Sequence, residues 1–174
     1  MKKQFMVFLT ILLIILVGLT GCTQNNNTPP TLSYQNKKFG FGLNPPQGWF
    51  TNESKTVNSV VFTPPTGDTA SANFVVLSTP SMNQSIETFI LVFLKMIKNN
   101  TQYAMVKNET IVVGGQTAYE VGIIMNVFGQ DMKQWYIFLE KGDTIYSLIY
   151  SAVPDVFNNY LTDVQTSIDS FTLL

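Results

Sequence analysis

Residues 133–141 and 144–151 are two strand-like runs joined by Gly142-Asp143, and both runs are apolar on both of their faces. A Gly-Asp pair between alternating apolar segments predicts a two-residue hairpin, which sets Leu139 opposite Tyr146, Ile137 opposite Leu148 and Trp135 opposite Tyr150. Those six side chains share one face. The other face carries Tyr136, Phe138, Ile145 and Ile149, interrupted by Ser147 and Ser151. A sheet with two apolar faces has to be covered on both, which predicts helices on each side of it.

Two segments have the pattern to supply that cover. In residues 154–170, Phe157, Tyr160, Leu161, Val164, Ile168 and Phe171 recur at helical spacing, with Asn158, Asn159, Asp163, Gln165, Thr166 and Asp169 on the other side and Pro154 suited to the first turn. In residues 85–99 the stripe is Ile86, Phe89, Ile90, Phe93, Leu94 and Ile97, and Asn83 or Ser85 can cap its start. Leu91 and Val92 fall on the side that should be wet, beside Lys95 and Lys98. That places a candidate docking patch for a protein partner or a membrane interface on this helix, against the simpler reading of ordinary exposed residues.

The compartment follows from the start of the chain. Lys2 and Lys3 precede an almost wholly apolar run over residues 5–20, the layout of a secretory signal segment and shorter than a spanning helix needs. The tetrad Leu19-Thr20-Gly21-Cys22 resembles the lipobox of prokaryotic lipoproteins, and Cys22 is the only cysteine. The resemblance implies cleavage before Cys22 and lipid attachment to it. The expected organisation is a signal peptide over 1–21, a lipidated cysteine and polar tether over 22–31, and a single domain over 32–174. Such a protein sits on the outer face of the cytoplasmic membrane, or on an outer membrane in a diderm host.

The remaining 153 residues hold eight lysines against eleven carboxylates and contain neither Arg nor His. A weakly acidic chain without arginine is poorly suited to nucleic acid, which is gripped by clustered basic charge. A single cysteine precludes an internal disulfide, so the domain, read as a monomer, is held by its core alone. Further strands are expected at 32–34 with 39–43, at 57–63, at 73–79, at 103–108, at 110–113 and at 118–128. Asn-x-Ser/Thr sequons stand at Asn26, Asn52, Asn83, Asn99 and Asn108, in polar stretches where N-glycans would be tolerated.

The segment YQNKKFGFGLNPPQGW, residues 34–49, resembles the opening signature of the PsbP superfamily: an aromatic hairpin followed by a Pro-x-Gly-Trp turn. The order of the remaining elements fits the same pattern, including the hairpin ending in Tyr-x-Leu-x-Tyr and the closing Ile168-Asp169-Ser170-Phe171. The resemblance implies an α/β/α sandwich, an α+β domain with a central mainly antiparallel sheet flanked by helices on both faces. It also implies a non-enzymatic role in docking or assembly, since members include an extrinsic subunit of photosystem II, a Ran-binding import factor and prokaryotic lipoproteins. Metal-binding histidines of the photosynthetic branch have no counterpart in a chain without histidine.

The residues point the same way. Ser-His and Cys-His catalysis fail for want of histidine, no metal-ligand spacing is present, and no cofactor motif is found. Glu120, Asp131, Glu140 and Asp143 read as solvated strand ends and turn formers. Trp49, Trp135, Tyr146 and Tyr150 are candidates either for core or for the lining of a ligand pocket between sheet and helix. The expected function is therefore an anchored docking or accessory module for a membrane or envelope complex. The alternative is an extracytoplasmic small-ligand binder, for which a cavity of several hundred Å³ lined by Tyr and Trp would be the sign.

Overall fold

The computed structural model describes residues 34–54, 56–65, 72–127 and 129–174. The signal segment, the lipobox with Cys22, the tether and Asn26 lie outside the described residues. Strands β8 (Gln130–Lys141) and β9 (Thr144–Ala152) form the hairpin that Gly142-Asp143 predicts, with Leu139 opposite Tyr146, Ile137 opposite Leu148 and Trp135 opposite Tyr150. Gly142 adopts φ +56°, which this type of two-residue turn needs.

Around that hairpin, β3 (Phe50–Glu53), β4 (Ser59–Thr63), β5 (Ala72–Pro80), β6 (Tyr103–Val113) and β7 (Gln116–Val127) complete a seven-stranded sheet in the order β3-β4-β5-β9-β8-β7-β6. Every pairing is antiparallel. A smaller sheet joins β1 (Tyr34–Asn36), β2 (Phe41–Leu43) and β10 (Thr172–Leu173) in the order β1-β2-β10. The domain is thus α+β with antiparallel sheets. No helix among the described residues is long and apolar enough to cross a membrane.

The two helices among the described residues belong to different apolar clusters. Helix α1 (Ile86–Lys98) places Phe89, Ile90, Phe93 and Ile97 with Tyr136, Phe138, Ile145 and Ile149. Phe93 meets Tyr136 and Phe138 edge-on at centroid distances of 5.0 and 4.9 Å. Helix α2 (Pro154–Asp169) places Phe157, Val164 and Ile168 with Trp135, Ile137, Leu139, Leu148 and Tyr150, the alternate side chains of the same strands. The period of two along β8 and β9 therefore sorts one sequence into two cores.

Local chemistry starts each helix. Ser85 caps α1, its Oγ accepting from the N–H of Thr88, and Glu140 Oε2 accepts from the N–H of Ile86 at 3.2 Å. Glu87 in the first turn and Lys95 and Lys98 in the last both match the helix dipole. Helix α2 has no side-chain cap; Pro154 at its start removes one N–H that would otherwise need a partner.

Three elements depart from the sequence reading. The segments expected at 103–108 and 110–113 are one continuous strand, β6, with an irregularity between Met105 and Lys107. Strands β3 and β10 carry no apolar alternation to reveal them. β3 reads FTNE with three exposed residues, and only pairing to β4 makes it a strand. β10 is two residues paired to β2. Its approach also explains Gly114, where a Cβ would stand 2.5 Å from the carbonyl oxygen of Phe171.

A groove between the second helix and the sheet edge

Strand β7 determines the site. Its side chains at Val121 and Ile123 fill the α1 cluster, while the other face offers Ala118, Glu120 and Gly122. Helix α2 packs over β9, β8 and β5, short of β7 and β6. With small or charged residues below and a helix to one side only, the chain leaves a groove of about 430 Å³. Its floor is Gly122 with Lys107, Glu120 and Trp135, and its wall is the α2 face bearing Phe157, Leu161, Thr162 and Gln165. Val106, at the irregularity of β6, and Lys133 border it. Gly122 keeps the floor low: a Cβ there would come within 3.0 Å of Lys107 Cβ and 3.2 Å of Val106 Cγ2.

The floor carries a charge cluster of two carboxylates sharing one ammonium. Glu120 lies directly across from Glu109 of β6, an arrangement in which like charges repel. Lys107 resolves it, its Nζ lying 2.5 Å from Glu120 and 2.9 Å from Glu109. The hydrogen bond to Glu120, then that to Glu109, raises the Lys107 ammonium above the ordinary lysine value, and Lys107 in turn lowers Glu109. Glu120 is buried, with its side chain 4 % exposed, so it is not the solvated strand carboxylate that the sequence suggested. A buried carboxylate persists only with such a partner. Asp131, at the start of β8, and Asp143, in the turn that follows β8, are exposed, and Glu140 is half-buried beneath the start of α1.

Two hydrogen-bond donors at the groove are differently placed. The Nε1–H of Trp135 is buried and has no hydrogen-bond partner among the described residues. Lys133 holds its Nζ 4.2 Å from the centroid of the Phe157 ring and makes no ion pair among the described residues. On the opposite face of β8, by contrast, polar groups are matched: Gln134 Nε2 donates to Ser151 Oγ at 3.0 Å and its Oε1 accepts from Tyr136 Oη.

The sequence-predicted aromatic set is divided. Trp135 lines the groove, whereas Trp49 is buried against Tyr160 at 5.2 Å, Tyr146 donates to the carbonyl of Phe39 and Tyr150 donates to the carbonyl of Phe157. On α1, Leu91 is 68 % exposed, Lys95 and Lys98 are exposed, and Val92 is half-buried against the α1 cluster. This patch and the groove lie with different helices. Asn52, Asn83, Asn99 and Asn108 are all exposed. Among the described residues no group of His, Cys, Asp or Glu is arranged to hold a metal ion. Lys107, Glu120, Gly122 and Lys133 were not singled out as a site from sequence. The signal was present in the alternation Ala118-x-Glu120-x-Gly122, which breaks the apolar pattern on one face of β7 alone.

No protein-family model and no curated protein sequence matches the chain. Solved structures do. Cyanobacterial PsbP (CyanoP) from Synechocystis aligns with a TM-score of 0.61 at 15% identity, covering 90% of this chain and 100% of that one. The yeast Ran-binding protein Mog1p aligns at 0.58 and 10% identity, over 84% of this chain and 96% of its own. LpqN of Mycobacterium tuberculosis, described as involved in cell envelope biogenesis, aligns at 0.56 and 16% identity, over 85% and 87%. The chain has the PsbP-like fold.

Proposed function

We propose that the protein is a lipid-anchored extracytoplasmic binding module, tethered through Cys22 to the outer face of the membrane, that holds a small ligand in the groove beside α2. The observation that carries this reading is the groove itself. Its volume of about 430 Å³ falls in the range of small-molecule sites, and Trp135, Phe157 and Leu161 line it with apolar surface. In this reading the domain is an α/β/α sandwich whose two sheet faces differ in purpose, the α1 face closed and the α2 face partly open. The PsbP-like fold is compatible with an accessory role and does not specify the ligand.

A second reading rests on Leu91, 68 % exposed on the same side of α1 as Lys95 and Lys98, as a docking patch for a protein of the envelope. It concerns another surface and can operate beside the groove.

The test of the groove is native mass spectrometry of the protein extracted from its own membranes, compared with Thr162→Trp, which puts an indole into the groove from an exposed helical position. The expected result is a bound small molecule on the wild type that the variant lacks. Identical mass profiles from the two proteins would end this reading. The same spectra show whether Cys22 carries lipid.

A further inference from the structure

We propose that strand β6 is an interface between two copies of this chain. It pairs antiparallel with β6 of the second copy about a two-fold axis at Asn108, so that the two seven-stranded sheets run on as one. The starting observation is the edge itself. β6 is eleven residues long and ends the sheet, with β7 on one side and, among the described residues, no strand on the other. The opposite edge, β3, has four residues. Natural sheets keep their edges short or polar, because a row of unpaired N–H and C=O groups is a template for another strand. β3 obeys that rule and β6 does not. Its residues 104–110 are exposed without interruption, and it bears Met105, Val106 and Val112, three of the six large apolar residues exposed among the described residues.

The order of side chains along β6 selects the partner. A two-fold axis perpendicular to the sheet sets one residue opposite its own copy. About Asn108 it sets Lys107 opposite Glu109 of the second copy, and Glu109 opposite the second copy's Lys107. An axis one residue to either side would instead oppose lysine to lysine or glutamate to glutamate. Within one chain Glu109 and Glu120 share Lys107; in the pair each Glu109 gains a second ammonium across the seam.

The outer residues match once the irregularity of β6 is counted. Tyr103 packs with the α1 cluster and Ile111 with the α2 cluster, although an even spacing should keep them on one face. Val106 is the extra residue that exchanges the faces. Passing over it sets Met105 opposite Thr110, Ala104 opposite Ile111 and Tyr103 opposite Val112, each pair on a common face of the joined sheet. Exposed Met105 and Val112 thus gain neighbours. A lysine and a bulge ordinarily discourage edge pairing. Here both answer their own copies, so they turn away other strands while admitting this one.

The experiment is oxidative cross-linking of the full chain in its own membranes, read on non-reducing gels. Asn108→Cys sets two thiols across the axis within reach of a disulfide. The wild type under the same oxidant controls for Cys22, the only native cysteine. The expected result is a band at twice the chain mass for Asn108→Cys and at most about a tenth as much for Val112→Cys. Val112 is no less exposed, but in this register it lies roughly 27 Å from its own copy. Co-expressed Val112→Cys and Tyr103→Cys chains should restore the band. Adding Glu109→Lys to Asn108→Cys opposes lysine to lysine and should weaken the band about fivefold; Glu109→Gln, which only removes the attraction, weakens it less and serves if the lysine variant does not fold. Equal bands from Asn108→Cys and Val112→Cys would mean random collision and overturn the pairing. A stronger band from Thr110→Cys would shift the axis and void the charge matching, as would indifference to both changes at Glu109. A cross-linked product of any other mass would give the edge to a different protein. Absence of the Asn108→Cys band, or a glycan on Asn108 in the intact mass of the wild type, would end the proposal.

Discussion

The two faces of strand β7 behave as if they came from different proteins. Toward α1 the strand shows Val121 and Ile123, both essentially inaccessible, and the helix answers with Phe93 and Ile97 in a closed apolar cluster. Toward α2 it shows Ala118, Glu120 and Gly122, and the helix stops short over β8, β9 and β5. The difference lies in side-chain volume and charge at alternate positions, since the backbone is shared. Large apolar residues draw a helix down upon them by removing surface from water; a glycine and a paired glutamate give it nothing to bury. A binding surface can thus be set into a stable sheet by changing every second residue of one strand, with the other face preserving the fold.

The largest expected effect tests whether both faces fail together. Burial raises the hydroxyl pKa values of Tyr136 on the α1 face and Tyr150 on the α2 face, and burial with a hydrogen bond to Glu53 raises that of Tyr34. Each holds its proton more tightly folded than unfolded. The stabilisation is complete below the ordinary tyrosine value of about 10 and is lost as pH climbs above it toward the folded values. Lys107, also raised, acts with the same sign. Urea midpoints should be level through neutral pH and fall steeply above about pH 10; a midpoint that stays level there contradicts the burial of these hydroxyls.

Next in size is a change confined to the closed face. Phe93→Ala removes a buried ring that contacts both Tyr136 and Phe138, and should cost about 3–5 kcal/mol in denaturant titrations. Leu161→Ala on the groove wall should cost only about 1 kcal/mol, because Leu161 is half-exposed and its removal enlarges a groove that already exists. Equal losses from the two would mean that the α2 face is as tightly packed as the α1 face, and the contrast drawn from β7 would be void.

The smallest effect belongs to the outer surface of α1. Leu91→Ser should change stability by less than about 0.5 kcal/mol, as expected for an exposed residue. Val92→Ser should cost more, since Val92 is half-buried against the α1 cluster. If Leu91→Ser lowers the melting temperature by several degrees, Leu91 belongs to the core and no docking patch exists there.

Much of the architecture was written in local patterns. The register of β8 with β9 follows from a two-residue Gly-Asp turn and a period of two, and both helices follow from stripes at helical spacing with Ser85 or Pro154 at the start. These depend on residues close in sequence, which is why the chain alone determines them. β3 and β10 were not legible in that way, having no apolar alternation of their own: β3 is a strand only through its pairing with the neighbouring β4, and β10 through β2 at the far end of the domain. The groove was beyond reach for the same reason. Glu120 could be read as a solvated carboxylate until β6 brought Lys107 and Glu109 to it, and Trp135 could be read equally as core or as pocket lining until α2 came to rest over β9 rather than β7. The sequence by itself determined which side chains face which way along each strand, because that is a property of the backbone. Only the tertiary structure decided how far each helix reaches across the sheet, because that depends on how much apolar surface distant strands offer it to bury, and the width left uncovered is the site.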